Sequence, residues 1–316
     1  MIEAIMQDNR QFIINLVAGG LGGTLGAVAT MPLEVLKTRG QSSTASIRSL
    51  HLPSNMVTAT ATLPTSTTLV GWIRYILATE GPTAFFKGLI PTLAGVAPTR
   101  ALYLASYDAS KSFFSNDLPK DASITHGLSA ATGTFLTCTI MSPLWVVKTR
   151  MQLHIDTKNQ ILPVKTCCQQ IYQSDGWRGF YRGLTASYIG ISESMVYFVI
   201  YEWLKKIISR KRGDQSISAS TFGNYTVAAA ISKAVASIST YPYEVVRTRL
   251  REKGSRGRYN TFYQTLTKIA REEGRIGLYG GLSLQLIRSV PNTAIIFATY
   301  EYVKFHLEKN LGIVPN

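Results

Sequence analysis

A chain of 316 residues that is 46% hydrophobic and only 16% charged is apolar for a water-soluble protein, and its mean hydropathy of +0.09 conceals strong segregation. A net charge of +15 points to anionic partners: phosphates, acidic lipid or nucleic acid. Three cysteines, two of them adjacent at Cys167 and Cys168, imply no disulfide framework, and the start Met1-Ile2-Glu3-Ala4 lacks the basic and apolar regions of a cleaved secretory signal.

Residues 1–11 are largely polar and are expected to stop short of a membrane. From Phe12 to Met31 no charge occurs, a run long enough to span a bilayer at ~1.5 Å per residue. Its glycines, Gly19, Gly20, Gly22, Gly23 and Gly26, alternate with Leu, Val and Ala, a pattern that suits close approach of a second helix better than a linker. Residues 41–68 are rich in Ser and Thr with Pro53 and Pro64, and read as a long, partly disordered loop. Thr68 to Ala78 then sets Leu69, Trp72, Ile73, Ile76 and Leu77 on one face of a short amphipathic helix, with counterparts near 164–173 and 260–271.

The second span, Leu89 to Tyr107, is expected to be broken by Pro91 and Pro98 and carries Arg100; the third, Gly127 to Val147, is uncharged. Leu184 to Tyr201 is the fourth, holding Glu193, and residues 205–222 form a basic, then Ser-rich connection. Tyr225 to Val246 is the fifth, with Lys233, and Leu282 to Tyr300 the sixth, with Arg288 and Pro291. Six spans place both termini on one side, and the basic long loops modestly favour an inside location.

A threefold repeat runs through this order. Pro32-Leu33-Glu34-Val35-Leu36-Lys37-Thr38-Arg39 returns as Pro143-Leu144-Trp145-Val146-Val147-Lys148-Thr149-Arg150 and as Pro242-Tyr243-Glu244-Val245-Val246-Arg247-Thr248-Arg249. A period near a hundred residues means one structural unit used three times. Each unit continues with an acid-glycine motif, Glu80-Gly81…Phe86-Lys87-Gly88, Asp175-Gly176…Tyr181-Arg182-Gly183 and Glu273-Gly274…Tyr279-Gly280-Gly281. Each ends with Tyr107-Asp108…Lys111, Tyr201-Glu202…Lys205 or Tyr300-Glu301…Lys304. The units are drawn as residues 12–111, with the insertion 41–68, then 124–206 and 223–307.

Arg100, Glu193, Lys233 and Arg288 each fall within an expected span. A charge facing lipid costs ~2.5–3.5 kcal/mol on insertion scales, so these side chains should face a watery interior or each other. Two readings stand: Glu193 and Lys233 form a simple pair between helices, or the four line a cavity whose positive charge attracts a multiply charged anion. Arg100 precedes Lys111, and Lys233 precedes Glu244, by eleven residues, almost three full turns, so each pair shares a face.

The three motifs make the chain resemble the mitochondrial carriers, whose signature is Pro-x-acid-x-x-base, acid-Gly-x4-aromatic-base-Gly and aromatic-acid-x-x-base, from about Leu16 to about Leu307. Trp145 departs from it where an acid is usual, and Gly280 where a base is usual. The resemblance implies an all-α membrane protein of six kinked transmembrane helices in three repeats, each with a short amphipathic matrix helix, in the mitochondrial inner membrane with both termini toward the intermembrane space. It implies a monomer in contact with inner-membrane lipid such as cardiolipin, with no cofactor, metal or nucleic acid. It implies a matrix gate joining Glu34 to Lys148 and Glu244 to Lys37, with Arg247 facing Trp145 in a cation–π contact, and a cytoplasmic gate of Asp108, Lys111, Glu202, Lys205, Glu301 and Lys304. Substrate contacts carried over from the family fall on Gly95, Ile189, Gly190 and Arg288, with Arg100 and Glu193 one turn further on; of the charges within the spans, Lys233 and Arg288 are the first candidates for phosphate contacts and Arg100 the next.

Val96-Ala97-Pro98-Thr99-Arg100-Ala101, Gly183 to Tyr188, Arg247 to Glu252 and Arg288…Pro291-Asn292-Thr293-Ala294 look most like the pyrimidine nucleotide carriers. The implied function is exchange of UTP, CTP and TTP and their lower phosphates; a folate, FAD or NAD carrier is the alternative, because Pro-Leu-Trp is shared with those carriers. A soluble nucleic-acid-binding repeat protein would need basic faces interleaved with aromatics, and an enzyme would need a phosphate-cradling glycine loop, a metal-spaced cluster or a nucleophile triad. None is legible, and the four histidines at 51, 126, 154 and 306 read as surface residues.

Overall fold

The computed structural model describes residues 2–43, 69–116, 123–155, 162–212, 219–255 and 257–310; among these the secondary structure is entirely helical. The expected loop falls mostly on 44–68, outside the described residues. The long helices are α1 (Ile2–Gln41), α3 (Leu89–Phe114), α4 (Ser123–Leu153), the pair α6 (Leu184–Ile189) and α7 (Ile191–Arg212), α8 (Ala219–Arg251) and α11 (Leu282–Asn310). Short helices α2 (Leu69–Glu80), α5 (Val164–Asp175) and α9 (Phe262–Glu272) lie between them, with the five-residue α10 (Gly274–Leu278) after α9.

The helices do not break where proline suggests. Pro32, Pro143 and Pro242 lie inside α1, α4 and α8, and α3 runs through Pro98. Pro91 sits in the first turn of α3, where a backbone N–H would have no intrahelical partner to lose. The break instead falls at Gly190, between α6 and α7. The expected loop also began too early: Gln41, Ser42 and Ser43 are buried at the end of α1.

Side by side, α1 packs along α11, α3 along α4 and α7 along α8. The glycines of α1 permit the first contact, since a Cβ on Gly22 would lie 2.9 Å from the Ile296 carbonyl oxygen, and one on Gly26 would lie 2.7 Å from Ile296 Cγ1. Gly133 likewise brings α4 near the backbone of α3, where a Cβ would lie 3.3 Å from the Tyr107 nitrogen.

Hydrophobic packing concentrates at the end of the bundle bearing the signature prolines. Three equivalent clusters form there: Leu36 with Ile76 and Phe85; Val146, Val147 and Met151 with Cys167 and Ile171; and Val245, Val246 and Leu250 with Tyr259 and Ile269. Each clamps the end of a long helix against the buried face of a short one, at about 1.5–3 kcal/mol per fully buried aliphatic side chain.

An arginine seven residues after each signature proline ties every unit together. Arg39 forms a two-pronged pair with Glu80 at 2.5 and 2.9 Å, and Arg249 one with Glu273 at 2.7 and 2.6 Å, while Arg150 reaches Asp175 at 2.6 Å. Burial alone would raise the Glu80 carboxyl; hydrogen bonds from Arg39 and Lys87 outweigh it and hold the group below the usual carboxylate range. Asp175 is shifted the same way, with Arg150 overcoming burial.

Candidate functional site

The signature residues of α1, α4 and α8 converge where these helices meet. Lys37 pairs with Glu244 at 2.7 Å, and Lys148 pairs with Glu34, whose second oxygen accepts from Arg288 of α11 at 3.0 Å. These side chains are largely enclosed, so removal of one partner would strand a charge. Gln152 donates to Glu34 at 3.3 Å and Gln41 to Glu244 at 3.4 Å, while Thr38 and Thr248 donate to the same glutamines. The glutamines carry no motif label and were missed in the sequence; their signal is a shared place, nine residues after the proline.

On the third seam the expected contact is replaced by two others. Trp145 lies under Lys148, 5.1 Å from the ring centroid, and Arg247 lies over the Tyr243 ring at 5.6 Å. The reason is reach along the helix: each cation stacks on an aromatic three or four residues away on its own helix, which no interhelical geometry has to supply.

Gly95 and Gly190, which the resemblance places among the substrate contacts, lie close against side chains of neighbouring helices. A Cβ on Gly95 would fall 2.7 Å from Leu144 Cδ2 and 3.0 Å from the Trp145 ring, and one on Gly190 would fall 2.6 Å from Tyr243 Cε2. Tyr243, seated in this way, donates to Glu193 at 2.9 Å. Glu193 also accepts from Lys233 at 2.7 Å and Ser237 at 2.9 Å, so the simple interhelical pair is formed; Lys233 nevertheless remains 60% exposed.

Arg100 is exposed on α3, one turn beyond Val96, which approaches Gly23 of α1, and it forms no ion pair among the described residues. Ile189 is 36% exposed at the end of α6. Neither is joined to the two charge clusters.

At the far end of the bundle the geometry is different. Glu202 and Lys205 pair within one helix at 3.9 Å, and Lys304 lies over Tyr300 of its own helix. Among the described residues no ion pair connects Asp108, Lys111, Glu202, Lys205 and Glu301 across helices. One mouth is therefore tied by interhelical charge pairs, while at the other Asp108, Glu202 and Glu301 make none across helices among the described residues.

Gly280 also has a local explanation. A Cβ there would meet the Gly40 carbonyl oxygen at 2.7 Å, and the Gly280 carbonyl accepts from Tyr241 at 2.9 Å. The bases at the equivalent positions, Lys87 and Arg182, reach instead to the carbonyls of His154 and Tyr259 in the next unit.

The family model for mitochondrial carrier protein matches residues 8–118, 120–212 and 218–311. The chain is 45% identical over 314 residues to Solute carrier family 25 member 33 of Mus musculus, covering 95% of this chain and 97% of the relative. It is 44% identical over 311 residues to Solute carrier family 25 member 36-A of Danio rerio, covering 95% and 99%. It is 34% identical over 321 residues to the Mitochondrial pyrimidine nucleotide transporter RIM2 of Saccharomyces cerevisiae, covering 92% and 85%. With its three motif-bearing units and its charge-paired mouth, the chain belongs to the mitochondrial carrier family.

Proposed function

We propose that this protein exchanges pyrimidine nucleotides such as UTP, CTP and TTP across the mitochondrial inner membrane by alternating access, without covalent chemistry. The observation that carries the substrate class is the full-length likeness to a yeast protein named as a pyrimidine nucleotide transporter, which favours it over folate, FAD or NAD. The observation that carries the mechanism is the asymmetry of the two mouths: Lys37–Glu244 and Lys148–Glu34 are paired across helices, while among the described residues the carboxylates Asp108, Glu202 and Glu301 make no interhelical ion pair.

In this reading the signature mouth is the matrix gate, closed here, and the other is the cytoplasmic gate, open here. Arg100, Lys233 and Arg288 offer the cations for phosphate, with Gly95, Ile189, Gly190 and Glu193 around them. Arg288 is held by Glu34 while the matrix gate is shut; a nucleotide phosphate that draws it away weakens that gate from above. In enclosed ion pairs of this kind the desolvation cost offsets much of the Coulombic gain, which suits a gate that breaks on every cycle once water and substrate enter.

Six spans, with α2, α5 and α9 on the matrix side and both termini in the intermembrane space, complete the arrangement. Support comes from the large apolar side chains left exposed, among them Ile90, Phe113, Ile140, Phe198, Trp203, Val290 and Phe297, which water would penalise and acyl chains would not. Two segments, Thr125–Leu153 and Trp177–Ile208, are long and apolar enough to cross a membrane on composition alone. The protein acts as a monomer and contacts inner-membrane lipid, including cardiolipin.

The test is uptake of labelled UTP against labelled FAD into liposomes containing the purified protein and loaded with unlabelled nucleotide. Uptake of UTP exceeding that of FAD supports the reading; the reverse order replaces it with the alternative.

A further inference from the structure

The residue nine places after each signature proline is Gln41, Gln152 or Arg251. All three are buried, and their side chains lie against equivalent left-handed glycines, Gly281, Gly88 and Gly183, whose φ values are 79°, 82° and 76°. The two glutamines each bridge an interhelical ion pair. On the seam between the second and third units no carboxylate is available to bridge, because Trp145 occupies the acid's place, and the bridging residue is itself a cation.

That seam therefore holds Arg247 and Arg251, one turn apart on α8, without an acid of its own. Glu244 stands 3.9 Å from Arg247 but is engaged by Lys37 at 2.7 Å. Arg251 is 7% exposed; one terminal nitrogen donates to Ser187 Oγ at 3.2 Å, and its Nε is buried without a partner. Arg247 is 31% exposed in its side chain and opens the seam to water. A buried guanidinium with a vacant donor, next to a second one, is a costly arrangement that an oxyanion relieves.

We infer that Arg251 and Arg247 form a phosphate subsite at the seam of the second and third units, where a phosphate of the transported nucleotide supplies the negative charge that Trp145 does not. The other two seams carry their own carboxylates and have no such vacancy. The matrix gate is thus completed on one side by its cargo. This rests on nucleotide transport as proposed above, and a lipid head group offers the same phosphate chemistry, so the test separates both.

Thermal unfolding of the purified full-length protein in detergent is followed while inorganic triphosphate is titrated, a measurement that needs no transport. Triphosphate raises the unfolding temperature of the wild type. In Arg251→Gln, which installs the residue of the other two seams, and in Arg251→Met, which keeps length without charge, the apparent triphosphate affinity falls at least about tenfold, as loss of a charged hydrogen bond requires. An undiminished response in either folded variant overturns the subsite. So does a wild-type response that vanishes on adding cardiolipin in excess, which assigns the seam to a lipid head group. UTP uptake by the wild type is scored separately: uptake without an Arg251-dependent triphosphate response removes the subsite and leaves the transport reading, while the response without uptake does the converse.

Discussion

Arg249 donates its Nε hydrogen to the Gln41 carbonyl at 2.6 Å, and this bond closes the last unit onto the first. Arg39 does the same to the Gln152 carbonyl at 3.2 Å, and Arg150 to the Arg251 carbonyl at 3.1 Å, so three arginines link the units in a cycle. In each the terminal nitrogens face the acid of their own unit while Nε faces the next. One planar fork both folds a unit and joins it to its neighbour.

Lysine cannot do this. Arg249→Lys keeps the charge but offers one head group for two directions, leaving the Gln41 carbonyl or one Glu273 oxygen without a donor. Arg249 is 1% exposed, so the loss is not made good by water; unfolding is expected to become easier by roughly 2 kcal/mol. Thermal unfolding in detergent measures it, and an unchanged unfolding temperature would show that the cycle contributes nothing to stability.

Acid should loosen the same links. Glu80 and Asp175 titrate below their ordinary range in the folded protein, so each contributes stability that is present above the unfolded carboxyl value of about 4 and is lost as pH falls through the lower folded value. The unfolding temperature is expected to be flat near neutrality and to drop below pH ~4. Glu80→Gln, with no carboxyl to protonate, should be less stable at pH 7 and show a shallower acid decline; an identical slope would assign the acid sensitivity elsewhere.

The threefold order, the short amphipathic helices and the acids and bases of the signature mouth were legible because each rests on residue type at fixed spacing: Glu34, Lys37, Lys148 and Glu244 sit where their repeat positions put them. The partners of Arg39, Arg150 and Arg249 were not, although each arginine sits at the same offset, because a spacing within one motif does not say which distant motif it meets. The surroundings of Gly95 and Gly190 were not legible for a related reason: a glycine in the sequence does not say that Trp145 and Tyr243 of neighbouring helices pack against it. The break at Gly190 was not legible because no proline marks it: residues 184–201 contain none, and a lone glycine in an apolar run is compatible with an unbroken helix.

Gly190→Ala should therefore disturb more than one helix. Its methyl group would lie 2.6 Å from Tyr243 Cε2, and displacing that ring withdraws the Tyr243 hydroxyl from Glu193. A loss of about 1–3 kcal/mol is expected from overpacking. Combining Gly190→Ala with Tyr243→Leu should recover most of the steric cost but not the hydrogen bond. Additive losses in the double variant would show that the ring and the glycine do not constrain each other.

Trp145→Asp tests whether the incomplete mouth is a working compromise. By the repeat the new carboxylate stands where Glu34 and Glu244 stand in the other units, so it is expected to supply the third interhelical pair, to Arg247, and to compete for the place proposed for a phosphate. If opening this mouth limits exchange, an added pair of ~1 kcal/mol slows the exchange rate about fivefold, and the triphosphate response of the seam is lost at the same time. Removal of the indole has its own effect, since the ring fills the space over Gly95, so Trp145→Ala is the control that vacates that space without adding an acid. Exchange slowed in the aspartate variant relative to the alanine variant identifies the charge as the cause. Equal rates in the two would mean that opening at this seam is not what limits the cycle.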